Sequence, residues 1–166
     1  MSDSWGDSTD QTTTDHADDV LVRPKGYVEP FPVVRRIGDR ECYIGNEAAA
    51  DGTGHDRRFE FVLSVSTDAH SLTTHHRPLR DGPGNEWEAF EQAVDTAREL
   101  FRRDGSLLVN CRAGISRSST VLATMLAAEE GRRFRDAIGR VQQARPAAMP
   151  HPALHELAVV YLAATA

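Results

Sequence analysis

Two cysteines, a single lysine and no apolar run of bilayer length are what these 166 residues most conspicuously lack or have little of. Cys42 and Cys111 cannot build a disulfide framework or a cysteine-rich zinc site, so in a reducing compartment each thiol is free to act alone. A membrane helix needs about eighteen consecutive apolar residues, and none are present. The N-terminus is acidic where a signal peptide would be basic and then apolar, so a cytoplasmic protein without a membrane partner is expected. A net basic face is missing as well. Residues 1–19 hold six of the 25 acidic residues and none of the 19 basic ones, which leaves the remainder formally balanced. A polyanion partner needs cationic excess, so nucleic acid is not expected either. No repeat of 20 to 50 residues is visible, which excludes a solenoid or propeller.

What remains is ordinary for a globule: 40% hydrophobic and 27% charged residues, enough for one core and one domain. Residues 1–19, rich in Ser, Thr and Asp, bury too little to offset the entropy of ordering and read as a disordered acidic tail. Pro24, Pro30 and Pro32 make residues 20–32 an extended lead-in on the domain surface. The domain then runs over 33–166.

Short strands are predicted at Val33–Ile37 and Glu41–Ile44, with a helical turn at Asn46–Ala50. Phe59–Val65 is mostly apolar, as a strand covered on both faces would be, and Thr74–Leu79 is a further short strand. Trp87, Phe90, Ala93, Val94, Ala97, Leu100 and Phe101 fall on one stripe of a helix, which reads as core packing. Ser106–Asn110 is a strand leading straight into Cys111. Helices at Ser118–Glu130, Phe134–Ala144 and Pro150–Ala163 follow. The expected fold is a single α/β domain: a central, mixed, mostly parallel sheet of four to five strands, covered by helices on both faces.

The chemistry concentrates between the last strand and the next helix, in Cys111-Arg112-Ala113-Gly114-Ile115-Ser116-Arg117-Ser118. Backbone amides entering a helix from a strand's carboxyl end are unsatisfied and, with the helix dipole, form a cradle for an anion. A phosphate suits that position, bound by Arg112, Ala113, Gly114, Ile115, Ser116 and Arg117. Cys111 beneath it would have its thiolate favoured by the amides, the helix start and Arg117. Gly114 allows the loop to curl through positive φ. The planar fork of Arg117 can grip two phosphate oxygens. Ser118 can donate toward the sulfur and help it leave.

These residues resemble the signature of the cysteine-dependent protein tyrosine phosphatases, and their surroundings resemble the small dual-specificity branch. Glu41-Cys42-Tyr43-Ile44-Gly45-Asn46 with its three alanines is similar to that branch's opening strand and helix. Val62–Val65 is similar to its second core strand, and Arg145-Pro146 through Pro152 to its closing helix boundary. The resemblance implies a monomeric, metal-independent enzyme that needs no cofactor and cleaves phosphotyrosine, phosphoserine or phosphothreonine from proteins through a phosphocysteine. It also implies a general acid, for which Asp81 is the candidate: it lies 30 residues before Cys111 on the loop Arg80–Asn85. Asp68 is the reserve and Asp56 a weaker one. The pattern departs from the family at Asn110, where histidine is usual; an amide can donate a hydrogen bond but cannot become cationic. That departure leaves open an alternative, a phosphate-binding module that reads phosphoproteins without useful turnover.

Other candidates have plainer readings. Cys42 lies in a predicted strand and reads as packing. His75-His76 would point to opposite faces of a strand, and His151 with His155 matches no zinc motif, so no metal is expected.

Overall fold

In the computed structural model the described residues are 28–166; the proposed acidic tail and most of the lead-in lie outside them. In chain order the elements are β1 (Val34–Arg36), β2 (Cys42–Gly45), α1 (Glu47–Asp51), β3 (Phe61–Ser64), β4 (His75–His76), α2 (Trp87–Arg102), β5 (Leu107–Asn110), α3 (Arg117–Glu130), α4 (Phe134–Ala144) and α5 (Pro152–Thr165).

The five strands form one sheet in the order β1-β2-β5-β3-β4, with β1 antiparallel to β2 and every other pairing parallel. Strand β5 takes the centre because all four of its residues can be buried. Leu107 and Val109 face one side, and Leu108 and Asn110 the other, as strand alternation requires. On the first side they join Cys42, Ile44 and Leu63 against Phe90, Val94 and Leu100 of α2 and Val121, Leu122 and Met125 of α3. On the second side Leu108, Tyr43 and Val62 pack against Ala49 and Ala50 of α1. Helices thus flank both faces, but unequally. One face carries α2 and α3, with α4 and α5 packed on α3, while the other carries the five-residue α1 and loops.

Helix α3 is buried continuously from Arg117 to Ala127, which explains its Ser, Thr and Ala content: a helix enclosed on all sides needs small residues. The stripe predicted for α2 is the face that packs, with Phe90, Ala93, Val94, Ala97 and Leu100 buried. The expected strand Thr74–Leu79 is regular only at His75–His76. Beyond them Pro78 has no N–H to donate, so the edge continues as isolated bonds from Arg77 N to Ser64 O and Leu79 N to Val65 O. Helix α5 starts two residues later than expected. Pro152 opens it, and His151 caps it by accepting from Ala153 N through Nδ1.

Candidate active site

The parallel register brings the carboxyl ends of β2, β5 and β3 to one edge, with Gly45 and Ser64 both opposite Asn110. The segment after Asn110 cannot run on straight, because α3 must return over the sheet. It curls back on β2 instead. Gly114 has φ 67°, and a Cβ there would stand 2.8 Å from the Gly45 carbonyl oxygen and 3.2 Å from Asn46 N. Both the backbone conformation and the close approach require glycine.

The loop is held by its carbonyls. Arg112 O accepts from Glu47 N at 3.0 Å, and Ile115 O from Met149 N at 2.9 Å. Ala113 O and Gly114 O accept from the Arg145 guanidinium at 3.1 and 3.2 Å. Four successive carbonyls are therefore tied to the scaffold outside the curl. Because each peptide is planar and trans, the following amides, of Ala113, Gly114, Ile115 and Ser116, are turned the opposite way, into it. Among the described residues none of these amides has an acceptor.

Cys111 lies at the base of the curl, 2% exposed, with its sulfur 3.2 Å from Ser118 Oγ in the first turn of α3. Arg117 is 9% exposed; its Nη1 donates to Leu79 O at 3.2 Å, and its Nε is buried with no partner among the described residues. An orphaned charged donor costs more than an ordinary missed hydrogen bond, so this edge of the guanidinium is built for an acceptor. Ser116 Oγ accepts from His151 N at 2.9 Å, which ties the start of α3 to that of α5. Asn110 points to the opposite side of the sheet from the main core. It accepts from Ser64 Oγ at 2.6 Å and directs Nδ2 to the Cys111 carbonyl at 3.5 Å. It ties β5 to β3 beneath Cys111.

An open cleft of about 370 Å³ adjoins the loop, lined by Glu47, Ser66, Thr67, Asp68, His70, Arg112 and Arg117. Asp68, the reserve acid, is in this lining, and Asp81 is not. Asp81 is exposed on the Arg80–Asn85 loop, which Asn85 staples to itself by accepting from Arg80 N and donating to Arg80 O and Gly82 O. That loop begins next to Leu79, the residue that receives Arg117. Asp56 is exposed between α1 and β3, away from the cleft lining.

Cys42 is fully enclosed, and burial pushes its thiol up to about 12, against a smaller opposing pull from Arg40. It is an inert packing residue. His75 bonds to Thr74 Oγ1, His151 caps α5, and His155 stacks on Phe134 at 4.9 Å. Among the described residues no group of three or more His, Cys, Asp or Glu is placed to hold a metal.

Sequence reasoning did not find Arg145 or Glu29. Arg145 is 7% exposed, and besides the two loop carbonyls its Nη2 meets both carboxylate oxygens of Glu29, at 2.9 and 3.0 Å. The only sequence signal was the arginine before Pro146, which reads equally as a helix stop.

A sheet edge that ends in a cysteine beneath an anion-shaped curl, followed by a buried arginine, defines the class: this chain belongs to the dual specificity phosphatase catalytic-domain family, whose model matches residues 43–161. It is similar to dual specificity protein phosphatase 1 of Arabidopsis thaliana, at 30% identity over 122 residues covering 68% of this chain and 61% of that one. A probable dual specificity protein phosphatase of Dictyostelium discoideum is 44% identical over 115 residues, 66% of this chain and 29% of the relative. The chain spans 10% to 61% of the length of the curated relatives it matches. In fold it is similar to human DUSP28, with a TM-score of 0.67 at 23% identity, covering 81% of this chain and 97% of the other. A mouse putative dual specificity phosphatase, solved complexed with zinc tungstate, gives a TM-score of 0.65 at 24% identity, covering 87% and 93%. Among the described residues no helix is long and apolar enough to cross a membrane.

Proposed function

We propose that this chain hydrolyses phosphate monoesters of tyrosine and of serine or threonine in proteins, through a phosphocysteine at Cys111. The observation that carries the reading is the buried Nε of Arg117, without a partner among the described residues, beside a loop whose carbonyls from Arg112 to Ile115 are tied outward. A tetrahedral dianion offers acceptors to that guanidinium edge and to the inward amides together, above one sulfur.

In the first step the Cys111 thiolate attacks phosphorus. The S–P bond forms, the ester P–O bond breaks, and Asp81 gives its proton to the departing alkoxide or phenolate. Arg117 and the amides hold the charge spread over the three equatorial oxygens. In the second step Asp81 takes a proton from water as its oxygen attacks phosphorus. The S–P bond then breaks, and Ser118 Oγ, within hydrogen-bond reach of the sulfur, stabilises the leaving thiolate. Every group named lies on one chain, so a monomer acting without metal or cofactor suffices. Asp68 is a second reading for the acid, favoured by its place in the cleft lining.

The test is hydrolysis of p-nitrophenyl phosphate and of phosphopeptides, with a chelator present, by the full chain and by Cys111→Ser, Arg117→Ala, Asp81→Asn and Asp68→Asn. Turnover that needs Cys111 and Arg117 and is blocked by vanadate supports the proposal. Loss of peptide hydrolysis in Asp81→Asn but not in Asp68→Asn fixes the acid. Turnover indifferent to Cys111 defeats the reading. Absent turnover with phosphopeptide still bound supports the alternative of a phosphate-binding module, which the amide at Asn110 in place of an ionisable histidine favours.

A further inference from the structure

We infer that the cleft selects phosphopeptides with a cationic residue beside the phosphorylated one and discriminates against substrates carrying a second anion; this rests on the reading of the cradle as a phosphomonoester site. The cleft presents two carboxylates, Glu47 and Asp68, and two guanidiniums, Arg112 and Arg117. Among the described residues neither carboxylate has an ion-pair partner. The backbone of Glu47 is tied to the loop after β5, its amide donating to Arg112 O at 3.0 Å, which keeps its side chain beside the cleft. His70, also in the lining, is held by Asp51 at 3.0 Å.

Empty, the four charges of the lining cancel. When a phosphate dianion seats on Arg117, whose Nε has no partner among the described residues, that guanidinium is taken up by it, and the lining left to face the flanking residues is Glu47, Asp68 and Arg112, negative by one formal charge. A second phosphate, or an acidic flanking residue, then meets net repulsion that Arg112 alone does not offset. An arginine or lysine flanking the scissile residue meets Glu47 or Asp68 instead. At separations near 8 Å in water one unit pair changes a rate constant about twofold, so reversing the flanking charge beside one carboxylate changes it about fivefold at low salt. The effect fades toward 1 M salt, where the screening length is about 3 Å. The substrate class is a basic-flanked phosphopeptide; polyphosphorylated lipids and RNA ends are the disfavoured competitors.

The experiment measures kcat/KM for two phosphotyrosine peptides identical except for Arg or Glu at the flanking positions, using the full chain and a Glu47→Gln, Asp68→Asn double variant. Nitrophenyl phosphate is the uncharged-flank control, and each peptide rate is divided by the same protein's rate on it. Asp68 enters only through the ratio of the two peptides. The expected wild-type ratio is about fivefold for the arginine peptide at low salt, falling to near one at high salt and in the double variant. The aspartates of residues 1–19 are common to both proteins, so collapse of the ratio assigns it to the cleft. Nitrophenyl phosphate turnover with a wild-type ratio of one, with preference for the glutamate peptide, or with a ratio that survives in the double variant overturns the inference and leaves the phosphatase reading standing. No turnover of any substrate overturns both.

Discussion

Arg145 is the support on which the loop 111–116 rests, and removing it gives the sharpest test of how the proposed cradle is built. Its Nε and Nη2 satisfy Gly114 O and Ala113 O, while both oxygens of Glu29 face its Nη2. Arg145→Met leaves a buried carboxylate without its cation, and breaking a buried pair in this way costs about 3–5 kcal/mol. The figure belongs at the lower end, because the Glu29 side chain keeps 13% of its exposure and can recruit water. One buried and one half-buried carbonyl also lose their donors at about 1 kcal/mol each, and the energies overlap because they share one side chain. Glu29→Gln is milder. It keeps one acceptor oxygen and removes the charge, for about 1–2 kcal/mol. The functional effect follows from peptide planarity: a carbonyl no longer tied outward is free to rotate its amide away from the anion. Arg145→Met is therefore expected to weaken vanadate inhibition by about tenfold, or 1.4 kcal/mol, and Glu29→Gln by a smaller factor in the same direction. Urea unfolding followed by tryptophan fluorescence reads the stability, since Trp87 packs between Phe90 and Tyr161. A destabilised Arg145→Met that binds vanadate as tightly as the parent would show that Arg145 only cements the fold. An unchanged urea midpoint would refute the clamp altogether.

Native protein treated with iodoacetamide at pH 7 is expected to take up one equivalent, at Cys111, and a second only in denaturant, because burial holds the Cys42 thiol near 12; two equivalents in the native state, counted by mass spectrometry, would contradict this. Gly114→Ala is expected to abolish vanadate binding while retaining the far-ultraviolet circular dichroism of the parent, since its Cβ would collide with Gly45 O at 2.8 Å from a residue held at φ 67°. The Arg40 guanidinium, bonded to Glu130, holds that carboxyl below its ordinary value against the opposing effect of burial. A depressed carboxylate stabilises the fold above the unfolded value near 4.3 and loses that contribution as pH falls through the folded one. Glu130→Gln is therefore expected to be less stable than the parent by about 1 kcal/mol at pH 7, with the two urea midpoints converging below about pH 4. A gap that persists in acid would assign the loss to packing.

The parts legible in the sequence are those written in local pattern. The α2 stripe is one, and the curl is another: a cysteine, a glycine three residues on and an arginine three further are each fixed by one physical demand. The lopsided dressing of the sheet was not legible, because Tyr43, Val62 and Leu108 look equally suited to any apolar cover and only the fold shows that Ala49 and Ala50 of a five-residue helix supply it. Nor was the clamp, whose partners Glu29 and Arg145 stand 116 residues apart with no motif to join them. Asp81 lies on the loop Arg80–Asn85 but not in the cleft lining, whereas Asp68 is in that lining. Spacing along a chain names a loop but not the direction in which its side chains face. Asn110 shows the converse: the departure from the usual histidine was visible, but its bond to Ser64 needed the register of β5 with β3.

The contact between Gly114 and Gly45 joins a loop that follows β5 to the end of β2, so the cradle has no meaning within either segment alone. Until both strands lie side by side in the finished sheet, the chain carries two unremarkable thiols. The cradle is thus a property of the assembled sheet, and a peptide copied from residues 110–118 alone is expected to show none of it.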